Sequence, residues 1–264
     1  MVKEFENNDW ALVLGGSRGL GLASAKKLAK HGMNICIVHR DRKSDMPEIE
    51  KHFSEIRNCK VALRTFNRDL LRPEHKREIL NELKNILGDK GKVKCLLHSV
   101  AKGNLKPMTG GESSSLTILD FEITIQAMAL SLYDWFKSLF EEQFLAEDSR
   151  IISFTSEGGR RPLENYAAVS AAKASLEAIT RNIALEFAPF GVRANCIQAG
   201  VTDTLSLRMI PGSDQIKEHA VRRNPFGRLT READVANAVY LLCKKEASWI
   251  NGSIIPVDGG EHLS

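Results

Sequence analysis

Residues 10–21, WALVLGGSRGLG, decide the fold: an apolar run feeds directly into a glycine-rich loop. Trp10 to Leu14 reads as a short buried strand. After the loop, Leu22 to His31 has helical periodicity and stops at Gly32, a C-cap residue. Gly15, Gly19 and Gly21 follow the spacing GxxxGxG between these two elements. Glycines there let the backbone turn tightly and approach a pyrophosphate, which then rests on the positive end of the helix. The bland reading is a tight βα turn. The loop's place between strand and helix, close to the N-terminus, favours a bound dinucleotide and nominates Ser17, Arg18 and Leu20 beside the three glycines.

Working outward, a second strand, Asn34 to Val38, ends in His39-Arg40-Asp41-Arg42-Lys43. An acid at this strand tip suits a ribose 2′-hydroxyl, whereas arginine suits a 2′-phosphate. His39 stands where the acid is expected and Arg40 follows it. Arg18 and Arg40 are therefore expected to converge on the phosphate, favouring NADPH over NADH. Two alternatives stay open: Arg40 and Arg42 as solvated loop charges, and Asp41 on the 2′-hydroxyl after a small shift of register. Strands follow over Val61–Phe66 and Val93–Leu97, with Asp69-Leu70 and His98-Ser99-Val100-Ala101 beyond their carboxyl ends. Ligands of an open parallel sheet lie off those ends, which places Ser99 and Val100 at the nicotinamide. His98 is read as structural. The Gly- and Ser-rich stretch 102–115 has the length of a substrate-side flap.

Ile151 to Thr155 is the next buried strand, followed by Gly158, Gly159, Pro162 and a long Ala-rich helix. Tyr166 and Lys173 stand seven residues apart there. On one helix they share a face, roughly 10 Å apart along the axis. The ammonium is expected to lower the phenol's pKa and make it a usable acid. Further helices are expected over 47–56, 73–87, 119–140 and 231–243. Strand 193–198 ends in AGVTDT, Ala199 to Thr204, again on the ligand side. The segment 202–225 carries Met and Leu with Pro211 and Gly212 at its middle, and reads as a lid over an apolar substrate or as a surface excursion. Strand 253–257 closes the chain, ending in Asp258-Gly259-Gly260. Seven strands alternating with about six helices, without repeat or linker, give one doubly wound α/β domain over 1–264. It is a seven-stranded parallel sheet with helices on both faces.

Composition excludes several classes. The 264 residues are 43% hydrophobic and 27% charged, with a formal net charge of +4 and no basic run suited to nucleic acid. No apolar run reaches transmembrane length, and MVKEFENNDW at the start is too polar and acidic for a signal or transit peptide. The five cysteines lack CxxC or other metal-ligating spacing and read as reduced core residues of a cytoplasmic protein.

These motifs together resemble the short-chain dehydrogenase/reductase superfamily over nearly the whole chain: GxxxGxG, Asp69-Leu70, a Ser–Tyr–Lys segment and VDGG at Val257 to Gly260. Ordinary members space the active-site pair Y-x3-K; here position 170 is Ser and the pair is Y-x6-K. That spacing, with HSVA and AGVTDT, resembles the divergent branch containing bacterial enoyl-acyl-carrier-protein reductases, in particular its NADPH-using members. The resemblance implies cofactor contacts from Asp69, Leu70, Thr202 and Thr204 as well, and a homotetramer. Its implied substrate is an enoyl thioester on acyl carrier protein or CoA, reduced at its trans-2 double bond in fatty acid synthesis. Tyr166 is expected on the enolate oxygen, Lys173 on the nicotinamide ribose and Ser156 as a helper. Lys217, Arg222 and Arg223 are candidates for docking an acidic carrier, or else solvated charges. There are two departures. Gln126 stands where ordinary members have Asn. Ser156 replaces a second Tyr found in many enoyl reductases, while Ser153 keeps the ordinary serine spacing.

The altered spacing has a chemical sense. Ketone reduction delivers hydride and proton to adjacent atoms. Enoyl reduction delivers hydride to the β-carbon while charge grows on the distant thioester oxygen, so the donor must be displaced. The rival readings are a 3-oxoacyl-thioester or other carbonyl reductase, a 2,4-dienoyl-CoA reductase, and a non-catalytic NADP sensor.

Overall fold

A computed structural model describes residues 4–111, 114–210 and 212–264. Pro211, at the middle of the expected lid, residues 112 and 113 of the expected flap, and the first three residues lie outside the described residues. The chain alternates strictly at first: β1 (Asp9–Leu14), α1 (Gly19–Lys30), β2 (Asn34–His39), α2 (Met46–Arg57), β3 (Leu63–Asn67), α3 (Pro73–Leu87) and β4 (Lys92–His98). It continues through α4 (Ile118–Ile125), α5 (Ser131–Glu141), β5 (Leu145–Ser156), α6 (Ala167–Glu186) and β6 (Val192–Ala199). The segment after β6 holds α7 (Leu205–Arg208) and α8 (Ser213–Arg223), before α9 (Glu232–Cys243) and β7 (Ile254–Val257). The strands form one sheet in the order β3-β2-β1-β4-β5-β6-β7, every neighbouring pair parallel.

The inner strands carry continuous buried apolar runs, Trp10 to Leu14 in β1 and Ile35 to Val38 in β2, because both faces of a parallel sheet are covered there, while the edge strand β3 is only partly buried and carries Arg64 and Asn67. In β1 the period-2 alternation sorts neighbours to opposite sides. Ala11 and Val13 pack with Leu28, Phe53 and Val239 of α1, α2 and α9. Leu12 and Leu14 pack with Leu83, Trp135 and Leu176 of α3, α5 and α6. All five cysteines are buried free thiols. No helix among the described residues is long and apolar enough to cross a membrane.

Two elements differ from expectation. β5 begins at Leu145 rather than Ile151, because its pairing with β4 resumes beyond a register shift between Val93 and Cys95. The single helix expected over 119–140 is interrupted by a π-turn, Gln126–Leu130, that separates α4 from α5. Different partners hold its two sides. Before it, the Asn104 N–H donates to Thr124 Oγ1 at 3.1 Å, and Lys106 Nζ lies 3.1 Å from Asp120. After it, Ser131 Oγ donates to Ala127 O at 2.8 Å and pairs with His98 Nε2 at 2.7 Å. Gln126, the departure noted in the sequence, opens that turn.

Away from the ligand side, Asp148 gathers three cations. It pairs with Arg150, with Lys94 at 2.8 Å and with Arg193 at 3.0 Å. Fully buried Arg150 also donates to Leu242 O at 2.9 Å, near the last turn of α9. Burial pushes the Asp148 carboxyl up, but hydrogen bonds from Arg150 and Lys94 override it and hold the pKa at about 2, below the ordinary 3.8. A depressed folded pKa means the stabilisation is complete above the unfolded value and is lost as pH falls through 2. Asp148→Asn should therefore lower stability at pH 7 by about 1–2 kcal/mol, discounted from a fully buried pair because Asp148 is partly solvated. Urea midpoints of the two proteins should converge between pH 4 and pH 2; a constant gap would remove the ionic cause.

Candidate active site

The strand order reverses between β1 and β4, and there the two carboxyl ends meet through glycine. Gly15 has φ +85°, and a Cβ on it would lie 2.3 Å from Ser99 O. A Cβ on Gly21 would lie 2.3 Å from Gly15 O. The Gly15 N–H donates to Val38 O and the Ser99 N–H to Leu14 O, each at 2.8 Å. Arg18 occupies the N-cap of α1 without a side-chain cap, so the first-turn N–H groups of Gly19, Leu20 and Gly21 are left for an anion. A Cβ on Gly19 would meet the Thr204 methyl at 3.6 Å, so the segment after β6 closes over the loop. This cradle fits a dinucleotide pyrophosphate. Thr202 is buried with its hydroxyl donating to Gly200 O, and Thr204 Oγ1 accepts from Leu207 N as the cap of α7. Val100 and Leu70 pack against the core, and Leu70 O accepts from Trp135 Nε1 at 3.0 Å.

The two arginines do not converge. Arg18 turns to an acidic group, 3.4 Å from Asp41, 3.2 Å from Asp45 and 3.8 Å from Glu48. Arg40 goes the other way, to Asp69 at 3.0 Å, and remains 61% exposed. The expectation of a joint phosphate clamp is corrected: carboxylates brought in by β2 and α2 compete for Arg18. Asp41 is itself engaged. Burial would raise its pKa, but hydrogen bonds from Ser17, His39 and Arg18 hold it below the usual range. His39, edge-on to Phe53, pairs with it at 2.8 Å.

At the carboxyl end of β5 the structure brings Tyr166, Lys173 and Ser156 to one place. Tyr166 is not on the helix, as expected, but at the N-cap of α6 with φ −114° and ψ 2°. Asn165 before it has φ +60°, which ends the loop and starts the helix one residue late. The Tyr166 ring lies on Gly158, where a Cβ would come within 2.6 Å of Cε1. It also packs beside Met128, Val169 and Ala172. Ser156 shares a hydrogen bond with the phenol. Ser153, at the ordinary serine spacing, is fully buried against Cys196 at 3.1 Å and Thr180 at 3.4 Å, turned into the core.

Lys173 is 7% exposed, and its Nζ donates to Phe154 O at 2.6 Å. Burial brings its pKa down to about 8, opposed by Cys196 and Glu177. The expected lowering of the Tyr166 pKa by this ammonium is overturned. Burial raises the phenol's pKa, and the only opposing influence is Ser156. Burial dominates at the phenol, and the Lys173 Nζ donates to the β5 backbone instead. His98, also nearby, is held neutral by burial and by the Lys173 charge, with a pKa of about 3.

The structure adds one residue to this cluster that the sequence reading passed over. Glu177, 4% exposed, accepts from Thr155 Oγ1 at 2.7 Å and from Arg160 Nε at 3.4 Å. Its signal was available: a Glu four residues beyond Lys173 on an otherwise apolar helix face. Among the docking candidates, Arg223 is corrected. Its guanidinium donates to Glu157 at 3.0 and 2.8 Å and to Glu261 O at 2.9 Å, which leaves it structural. Lys217 pairs with Asp214 at 2.7 Å, and Arg222 is exposed.

A nucleotide cradle at the switch point and a tyrosine and lysine off the central strand define a short-chain dehydrogenase/reductase. The family described as Enoyl-(Acyl carrier protein) reductase matches residues 15–262, and the chain belongs to that family. Among its relatives is the NADPH-named enoyl-[acyl-carrier-protein] reductase of Staphylococcus aureus (strain MRSA252), 27% identical over 261 residues, 97% of each chain. The peroxisomal 2,4-dienoyl-CoA reductase of Danio rerio is 27% identical over 257 residues, 96% of this chain and 81% of that one. The crystal structure of the NADH-named enoyl-[acyl-carrier-protein] reductase of Aquifex aeolicus superposes with a TM-score of 0.82 at 24% identity, covering 97% of both chains.

Proposed function

We propose that the protein is an NADPH-dependent enoyl-thioester reductase, acting on the trans-2 double bond of an acyl group carried by acyl carrier protein or CoA. The observation that carries this reading is the site's asymmetry. Ser153 of the ordinary spacing faces the core, while Ser156 and Tyr166 pair beside an apolar wall. A carbonyl reductase built on Ser153 is thereby disfavoured. The bound nicotinamide supplies the hydride. Tyr166 stays protonated because its pKa is raised, and so donates to the thioester oxygen as negative charge grows there. Lys173, with two N–H groups beyond the one on Phe154 O, would hold the nicotinamide ribose hydroxyls. Ser156 orients the phenol.

Gly15, Ser17, Gly19, Leu20, Gly21, Ser99, Val100, Thr202 and Thr204 would hold the pyrophosphate and nicotinamide. Asp69 and Leu70 border the adenosine. Arg40 is the phosphate reader, since an exposed pair with Asp69 is weak and exchanges readily. Asp41, occupied by Ser17, His39 and Arg18, is poorly placed to select NADH. Arg40→Ala should raise the Kd for NADPH about tenfold and leave that for NADH unchanged. Equal loss for both would take the phosphate away from Arg40. Exposed Ile118, Leu119 and Tyr133 on α4 and α5 support a homotetramer that covers them.

The test is oxidation of NADPH and NADH with a trans-2-enoyl thioester beside 3-oxoacyl and 2,4-dienoyl thioesters. Turnover of the enoyl substrate is expected. Turnover of the oxoacyl substrate alone would make the protein a carbonyl reductase, and of the dienoyl substrate alone a dienoyl reductase. Cofactor binding without any turnover would point to a sensor.

A further inference from the structure

Lys173 is a buried cation, and such a group needs a counter-charge or it sheds its proton. The groups that face it come from four elements. β5 offers only the neutral Phe154 carbonyl, at 2.6 Å. From β4 comes His98, held neutral. From β6 comes Cys196, whose thiol is pushed up by burial and so stays uncharged. α6 itself supplies Glu177, one turn on. Among the described residues facing Lys173, Glu177 is thus the one anionic side chain. It does not touch the cleft directly. Thr155 and Arg160 fix it from the strand and from the turn after β5, and Gly159 seals it: a Cβ there would come within 3.1 Å of Lys173 Cβ and 3.3 Å of Glu177 Oε1.

We propose that Glu177 is a positioning residue that keeps Lys173 in its ammonium form, with Arg160 setting how much of the carboxylate's charge reaches it. Arg160 is 60% exposed at the rim, while Glu177 is nearly sealed from water. The two side chains therefore act on Lys173 in opposite directions: the carboxylate holds its proton on, and the guanidinium partly cancels the carboxylate. This deepens the reading of Lys173 as the ribose-binding cation and rests on it for its catalytic meaning, but the electrostatic claim stands by itself.

The opposition of sign gives the test. Lys173 is titrated by NMR in protein labelled with ¹³C at the lysine ε-carbon, its signal assigned by its absence in Lys173→Met. Glu177→Gln keeps the shape and the hydrogen bond from Thr155, and should move the Lys173 midpoint down by about one pH unit. Arg160→Gln should move it up by a smaller amount. The alkaline limb of the enoyl-thioester rate should follow in the same directions. Midpoints that do not move, or that move the same way in both variants, overturn the proposal, since mere loosening of the fold has no opposite signs. If Glu177→Gln does not fold, Arg160→Gln decides alone, an unchanged or lowered midpoint counting against. If the midpoints shift as expected but no enoyl thioester is reduced, the proposed function fails and the role of Glu177 survives.

Discussion

Tyr166→Phe should lower kcat for an enoyl thioester by on the order of 10² to 10³, with NADPH affinity and melting temperature nearly unchanged. The ring makes the packing contacts, with Gly158, Met128 and Val169, and phenylalanine retains all of them. What disappears is one donor aimed at a developing charge. The pH profile separates this tyrosine from its neighbour. Burial raises the Tyr166 pKa, so it contributes no alkaline limb near neutrality. A limb near pH 8 belongs to Lys173, whose pKa lies at about 8. Steady-state rates of Tyr166→Phe with saturating NADPH are the check. Wild-type turnover would remove Tyr166 from the chemistry and leave Lys173 and Ser156 to explain it.

Gly15→Ala should cost about 2–5 kcal/mol and abolish measurable NADPH binding. Two penalties add. At φ +85° an L-residue is strained by about 1–2 kcal/mol. The new methyl would also lie 2.3 Å from Ser99 O, a backbone atom just past the end of β4, and forcing it apart costs about 1–3 kcal/mol more. The same movement opens the ends of β1 and β4, where the proposed pyrophosphate cradle lies. Gly227→Ala is the control, with φ +62° and nothing within 4 Å of the added carbon. It should show the backbone strain alone and leave NADPH binding intact. Calorimetry of NADPH binding and urea unfolding of both variants checks this. Equal stability losses in the two would mean that the contact with Ser99 is relieved elsewhere.

The doubly wound sheet was legible from residues 10–21 and from the later alternation of apolar strands with amphipathic helices. The inner strands had to be apolar on both sides, and each helix on one, so pattern carried the doubly wound class, while the strand order came from pairing across the sheet. The sequence nominated candidate members for the site and left their directions open. Ser153 and Ser156 lie three apart on one strand and so point to opposite sides. Both sides are packed, and spacing gives no way to choose the one that reaches Tyr166. Helical spacing put Tyr166 on α6, but Asn165 takes a left-handed turn and leaves Tyr166 just outside it. Arg18 found its carboxylates at Asp41, Asp45 and Glu48, partners from other elements that no local pattern announces. Glu177 is a different kind of miss. Its i+4 relation to Lys173 was visible, but whether it was solvated or sealed depended on the turn that folds Gly159 over it.

The π-turn between α4 and α5 acts as a phase adjuster. An α-helix advances about 100° per residue, so one residue more or less in that turn rotates everything on one side against the other. α5 is fixed to the sheet by Trp135 and Phe136, both fully buried, and cannot follow. Removing one residue to restore a plain helix would therefore swing α4 by about a quarter turn. Thr124 and Asp120 would leave their clasps on Asn104 and Lys106, and the loop after β4 would lose its anchor. The wide turn is thus what lets one continuous helix serve two masters: its second half is bolted to the core, and its first half is indexed independently to Asn104 and Lys106.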